Sequence, residues 1–247
     1  MKADYGLDAP GLMRGFGVAG LVALAAAIGI WAEAQGKGLR WIGVALGIAS
    51  LYPLGMASLM VFYSKVTKLA DRDQMLAGLD WARIATVVDL GCGRGLMAIG
   101  AAQRMTAGTA TGVDIWNAAD QSGNSPDAAR LNAKIAGVAG RVAFVTADMR
   151  ALPMADGSVD LVVSAWAIHN LHKAEDRARA LAEAVRVLAP GGEIRISDIE
   201  CHADYVAVLQ GLGLRAERRE FGRVRARVLA AVSFGSFSPA MVVARRA

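Results

Sequence analysis

The alternation of apolar and polar positions divides the chain into three regions. Residues 15–32, between Arg14 and Glu33, carry no charge, and neither do residues 41–64, between Arg40 and Lys65. Each stretch reaches the roughly 20 residues that a helix needs to cross a hydrocarbon core. The joining segment Glu33-Ala-Gln-Gly-Lys-Gly-Leu-Arg40 is short, so residues 1–64 are predicted to form an antiparallel transmembrane hairpin with spans near 15–33 and 41–63. Over residues 65–83, Leu69, Met75, Leu76 and Leu79 recur at helical spacing among Lys, Arg and Asp, which predicts an amphipathic linker helix. Beyond Ile84, short β-branched runs alternate with helical patterns. Strands are predicted at 84–90, 109–114, 141–146, 158–164, 192–198, 214–220 and 240–245, and helices near 95–106, 126–138 and 174–189. Such alternation predicts an α/β fold over 84–247, a doubly wound, mostly parallel seven-stranded sheet. Arg223, Arg225 and Arg227 alternate with Val224, Ala226 and Val228, and this period of two predicts a further strand with one basic face.

Composition sharpens the first region. The chain is 55% hydrophobic, and the excess lies before residue 65. Lys2 and Arg14 precede the first span and Lys65, Lys68 and Arg72 follow the second, against Lys37 and Arg40 in the joining loop. The positive-inside bias therefore places both termini and the α/β domain in the cytoplasm, with the lipid bilayer as a partner. Two other readings stay open: a cleaved signal peptide ending at Ala32-Glu-Ala34, and two buried helices of a soluble oligomer. Asp4 and Asp8 disfavour the signal, and length without charge disfavours the buried pair. Gly43 and Gly47 stand four apart, a spacing on which membrane helices pack closely but which a Gly/Ala-rich helix also produces by chance. Pro53 is a candidate kink. The net charge of +5 suits an anionic membrane surface, and without a recognition motif nucleic acid is not an expected partner. Two cysteines imply no disulfide framework, and three histidines offer little for a metal site.

The chemistry concentrates at strand ends. In an open α/β sheet, ligands bind outside the carboxyl ends of the strands. Val87-Val-Asp-Leu-Gly-Cys-Gly-Arg-Gly95 is a buried strand running into an acid and three glycines, a turn that lets backbone approach a ligand. A dinucleotide loop needs its third glycine three positions after the second, and position 96 is Leu. A carboxylate there repels pyrophosphate and suits a cationic ligand. Two more acids end successive strands: Asp114, followed by Ile115, and Asp148, followed by Met149.

The D-x-G-x-G-x-G loop resembles motif I of the class I S-adenosylmethionine-dependent methyltransferases. Ser164-Ala-Trp-Ala-Ile-His-Asn-Leu171 and Arg186-Val-Leu-Ala-Pro-Gly-Gly192 resemble segments of the small-molecule methyltransferases that include the ubiquinone and menaquinone C-methyltransferases. The resemblance covers residues 63–247 and implies S-adenosylmethionine as cofactor. It implies that Asp89, Gly91, Cys92, Gly93 and Gly95 receive the amino-acid end, Asp114 and Ile115 the ribose, Asp148 and Met149 the adenine, and that Ser164 borders the site. His169 is then either the base or a residue that only shapes the pocket, and Asn170 a candidate holder of the acceptor, a small and apolar molecule. Cys201 and His202 are expected at the border of the acceptor pocket. The connection from Ile115 to Pro126 is longer and more polar than usual for the family, and Trp116 within it suggests a lid over the ligand. A homo-oligomer is compatible with all of this.

Overall fold

The computed structural model describes residues 2–235 and 237–246, with the backbone alone at 223–227. Two compact units emerge: Met1–Tyr5, Leu69–Asn117 and Gly123–Ala247 form the larger, Gly6–Lys68 and Ala118–Ser122 the smaller.

The larger unit is built on seven strands: β1 (Thr86–Leu90), β2 (Thr109–Asp114), β3 (Val142–Thr146), β4 (Val159–Ala165), β5 (Leu188–Asp198), β6 (Arg215–Glu220) and β7 (Ala240–Arg245). They lie in the order β3-β2-β1-β4-β5-β7-β6, with β7 antiparallel to both neighbours and the other pairs parallel. The order reverses between β1 and β4, and it is at such a reversal that an α/β sheet opens a crevice at its carboxyl edge. Helices α3 (Lys68–Met75), α4 (Leu96–Arg104), α5 (Pro126–Ile135), α6 (Ala174–Val187), α7 (His202–Gly211) and α8 (Arg223–Val232) complete the unit.

Alternation along the strands builds a core on each side. On β1, Val88 and Leu90 join Leu181, Ala184, Tyr205 and Leu209 of α6 and α7, whereas Val87 joins Met97, Ile99 and Ala133 of α4 and α5. Helix ends follow local chemistry. Ser125 caps α5 by accepting the Ala128 N–H at 3.2 Å, with Pro126 at the first helical position. Arg195, 4% exposed, donates to the carbonyls of Met75 and Ala77 just past α3. A guanidinium at a helix C-terminus satisfies carbonyls that the helix itself leaves open.

The smaller unit holds α1 (Pro10–Glu33) and α2 (Lys37–Phe62), followed by a π-helical turn at Tyr63–Thr67. Both helices are long and apolar enough to cross a membrane by length and composition. Pro53 lies within α2. The expectation that Gly43 falls at its spacing by chance is corrected by packing. A Cβ at Gly43 would stand 3.0 Å from the Ala27 carbonyl oxygen and 3.2 Å from the Trp31 backbone nitrogen, so the absent side chain is what lets the two helices meet. Away from that seam, Val18, Leu21, Val22, Ile28, Ile48 and Leu51 are exposed.

Three other expectations need correction. The linker helix ends at Met75 rather than near 83, and a turn at 76–78 follows. Residues 223–232 form α8, not a strand: six alternating residues are too few to separate periods, and Arg, Ala and Leu favour helix. The side chains of the supposed basic face lie outside the described residues. Helix α7, with no apolar stripe, went unpredicted.

Candidate active site

The turn after β1 is held by its own backbone. Gly91 and Cys92 donate to the Val113 carbonyl at 2.8 and 3.1 Å, fixing the turn to β2. Gly91 has φ +66°, and a Cβ on it would lie 2.2 Å from Cβ of Ala167, in the turn after β4. Only glycine fits both restrictions. Cys92 is buried with its sulfur beneath the turn, and burial together with Asp89 and Asp114 raises its thiol well above the usual range. Its sulfur would lie 2.7 Å from a Cβ on Gly112, so it packs on β2.

The acids at these strand ends are mostly engaged with the turn. Asp89, 1% exposed, accepts the Ala98 N–H at 2.9 Å through Oδ2 and so caps α4 from the strand before it. Its Oδ1 is buried with no hydrogen-bond partner among the described residues. Burial pushes this carboxyl up to about 7; bonds from Ala98 and Met97 oppose the rise and neighbouring Asp114 adds to it. Asp114 accepts from Gly93 N at 2.7 Å on Oδ2, and from Trp116 N at 2.6 Å and Asn124 Nδ2 at 3.3 Å on Oδ1. Ile115 is 63% exposed beside it. Asp148 differs: Arg150 grips it with Nε and Nη2, the shortest contact 2.6 Å, and reaches Asp176 at 3.0 Å. Those bonds hold the Asp148 carboxyl below its usual range. Met149 lies near the turn, its Cε 3.2 Å from a Cβ placed on Gly91.

Ser164 sits elsewhere than expected. It is fully buried and donates to the Leu90 carbonyl at 2.9 Å, so it pins β4 to β1 inside the sheet and does not face the crevice. Trp116, at φ +63°, donates its indole N–H to Thr146 Oγ1 at 2.7 Å and thereby bridges the ends of β2 and β3. The loop that it opens does not run free: residues 118–122 belong to the smaller unit.

The turn after β4 carries a cluster that the sequence did not announce. His169 Nδ1 lies 2.5 Å from Oδ1 of Asp198, and the His169 backbone N–H donates to Oδ2 at 3.1 Å. Tyr205 O–H donates to the same Oδ2 at 2.9 Å, and Ile199 N to Oδ1 at 2.9 Å. Asp198 is fully buried at the end of β5. An ionised carboxylate only accepts, so its pairing fixes the proton of a neutral His169 ring on Nδ1 and leaves Nε2 as the basic nitrogen. Burial and Asp198 push the Tyr205 phenol far up, which keeps it a donor. Arg177 donates to the carbonyls of Leu171 and His172 and holds the far side of this turn. Asn170 follows His169 in the same short 3-10 helix.

Asp198 and Tyr205 are the residues that sequence reasoning missed. Asp198 obeys the strand-end rule that found Asp114 and Asp148, and Ile-Arg-Ile-Ser-Asp198 was a legible signal. Cys201, at φ +60°, precedes the first residue of α7, and His202 is buried with Nε2 at 2.8 Å from the Asp198 carbonyl oxygen. Burial lowers His202. Both border an open concavity of about 660 Å³ together with Val206, Gln210, Arg218 and Ser238. Among the described residues no His, Cys, Asp and Glu group is placed to hold a metal.

Strand order, glycine turn and strand-end acids together define a class I methyltransferase domain, of the kind that uses S-adenosylmethionine. More particularly, residues 88–196 match the family described as "Methyltransferase domain". The chain is 34% identical to the 27-O-demethylrifamycin SV methyltransferase of Amycolatopsis mediterranei over 175 residues, which are 69% of this chain and 56% of that one. It is 52% identical to the ubiquinone/menaquinone biosynthesis C-methyltransferase UbiE of Methylobacterium nodulans over 54 residues, 22% of this chain and 20% of the relative. The chain thus spans about half the length, or less, of these curated relatives. Among solved structures, the [4+2]-cyclase SpnF superposes with a TM-score of 0.57 at 18% identity, over 74% of this chain and 83% of that one. That likeness speaks for the fold alone.

Proposed function

We propose that the protein is a membrane-anchored S-adenosylmethionine-dependent methyltransferase that acts on a small, lipophilic acceptor, with His169 as general base. The observation that carries this reading is the His169–Asp198 pair, set in the turn whose Ala167 rests against Gly91 of the glycine turn. A module that only bound the cofactor would have no use for an oriented base beside it.

The residues present fit the cofactor. The orphaned Oδ1 of Asp89 suits an ammonium group or the water that bridges to one, and the glycine turn gives backbone access. Asp114 keeps lone pairs for ribose hydroxyls beside its bonds to Gly93 and Trp116, with exposed Ile115 alongside. Asp148 keeps acceptor capacity toward an adenine amino group despite Arg150, with Met149 lining the same end. Cys92 and Ser164 support the turn and the sheet from beneath. When bound, the cofactor supplies a methyl group already activated on a sulfonium. The chain's own contribution is then position, exclusion of water and the acceptor's proton. Asp198 holds the imidazole so that Nε2 would take that proton from the acceptor. Asn170 holds the acceptor.

The hairpin α1–α2 crosses the bilayer in this reading, with both termini and the larger unit cytoplasmic. Its support is the ring of exposed apolar side chains around both helices: only 11% and 6% of their most apolar windows are buried, unlike core helices. An acceptor dissolved in the membrane reaches such an enzyme laterally.

The test is incubation of detergent-solubilised protein with native lipid extract and labelled methyl donor, followed by mass analysis. The expected result is one labelled apolar product that His169→Ala, still binding cofactor, fails to make. Absence of turnover with every extract would favour a non-catalytic module.

A further inference from the structure

Residues 115–125 form the connection that carries both contacts to Oδ1 of Asp114, from Trp116 near its start and Asn124 near its end. Its middle is built into the smaller unit. Ala9 N donates to the Asp120 carbonyl at 2.9 Å and Ser122 N to the Leu7 carbonyl at 2.9 Å. Leu7 N donates to Ser122 Oγ at 2.7 Å and Gln121 Nε2 to Asp8 Oδ1 at 3.3 Å, closing an antiparallel bridge between Asp8 and Gln121.

Asp8 ties this bridge to the end of the apolar hairpin. Its Oδ2 accepts the Ser64 hydroxyl at 2.9 Å and Lys68 Nζ at 3.2 Å, while its own N–H donates to Ser64 Oγ at 3.1 Å. Lys68 also donates to the Gly6 carbonyl at 3.1 Å. Ser64 lies in the π-helical turn, where one extra residue per turn shifts the face a helix presents. The Lys68 side chain is 9% exposed and that of Asp8 22%, so this ion pair is largely shielded from water and breaking it is costly.

We propose that Asp8 is a positioning residue for the cofactor: by tying residues 7–9 to Ser64 and Lys68, it holds residues 118–122 and keeps the ends of that connection on Asp114. The coupling runs along the chain, through residues 117–118 and 122–123. Because Ser64 and Lys68 follow directly on α2, the order of residues 118–122 is tied to the end of the hairpin within the same unit. This rests on Asp114 as the ribose acid proposed above.

Calorimetric titration of the full-length protein in nanodiscs with S-adenosylhomocysteine, paired with amide exchange, tests it. For Asp8→Ala the expected result is faster exchange over 118–122 and cofactor affinity lowered by about tenfold, with kcat at saturating cofactor within about twofold of wild type. Asp8→Asn, which can still accept from Ser64 and Gln121, should recover most of the affinity. If Asp8→Ala does not fold, the half-buried pair Gln121→Ala and Ser122→Ala should move exchange and affinity in the same directions. Unchanged affinity in the variants, with or without faster exchange, overturns the proposal while leaving Asp114 in place. A wild-type protein that takes up no cofactor overturns the Asp114 reading and this proposal with it.

Discussion

The two halves of the sheet's carboxyl edge use buried acids in opposite ways. At β1 and β2, Asp89 and Asp114 spend their oxygens chiefly on main-chain N–H groups, those of Ala98, Gly93 and Trp116. At β5, Asp198 gathers side chains from distant segments, the imidazole of His169 and the phenol of Tyr205, beside two backbone donors. The first arrangement shapes a turn whose remaining free oxygen, Asp89 Oδ1, suits a cation. The second aims one side chain. A turn made rigid by backbone bonds suits a ligand that always binds the same way, whereas an aimed imidazole suits a proton that must be moved.

The strongest break of this comparison is Gly91→Ala. Its Cβ would strike Ala167, and its φ of +66° strains any other residue, so the two halves are forced apart where they touch. A loss on the order of 3 kcal/mol is expected, read as a lower midpoint of thermal unfolding, together with loss of cofactor binding.

Next in size is Asp198→Asn. With the carboxylate gone, the ring tautomer and its aim are no longer set, and turnover at saturating cofactor should fall by about 10²-fold or more. Tyr205 keeps a partner in the amide oxygen, so thermal unfolding should move little by comparison.

A pH titration sharpens the cofactor half. Burial raises Asp89 to about 7 in the folded protein, against about 4 in an unfolded chain. A raised carboxyl pKa contributes stability that is full below the unfolded value and lost as pH rises through the folded one. Wild type should therefore lose stability relative to Asp89→Asn between pH 4 and about 7. A cationic ligand favours the ionised carboxylate, so cofactor affinity should climb by up to about tenfold per pH unit toward 7 and level off above it. Proton release on binding below that pH, measured in buffers of differing ionisation enthalpy, checks the sign. A flat profile would mean that Asp89 does not face the ligand's charge.

The same contrast explains what could be read from the residues. The seven strands and the glycine turn were legible, because the buried central strands read as apolar runs and a backbone-built turn leaves its glycines in fixed order; the order of the strands was not. Asp89 and Asp114 were found by local position for the same reason. The pairing of His169 with Asp198 was not, because it joins residues 29 apart that only the sheet brings together. Ser164 was misplaced since a polar residue after an apolar run reads as a crevice residue, whereas its hydroxyl serves the Leu90 carbonyl. Helix α7 escaped because its buried residues, His202, Tyr205 and Leu209, include a histidine and a tyrosine that period-based reading scores as polar. The Asp8 hub escaped because nothing in a polar connection such as 115–125 indicates which distant strand-like segment pairs with it.

The division of labour is tested most directly by one calorimetric comparison: S-adenosylhomocysteine titrated into wild type, Asp114→Asn and Asp198→Asn under identical conditions. The account predicts that Asp198→Asn binds like wild type while Asp114→Asn loses about 10-fold or more in affinity. Equal losses in the two variants, or a loss confined to Asp198→Asn, would contradict it.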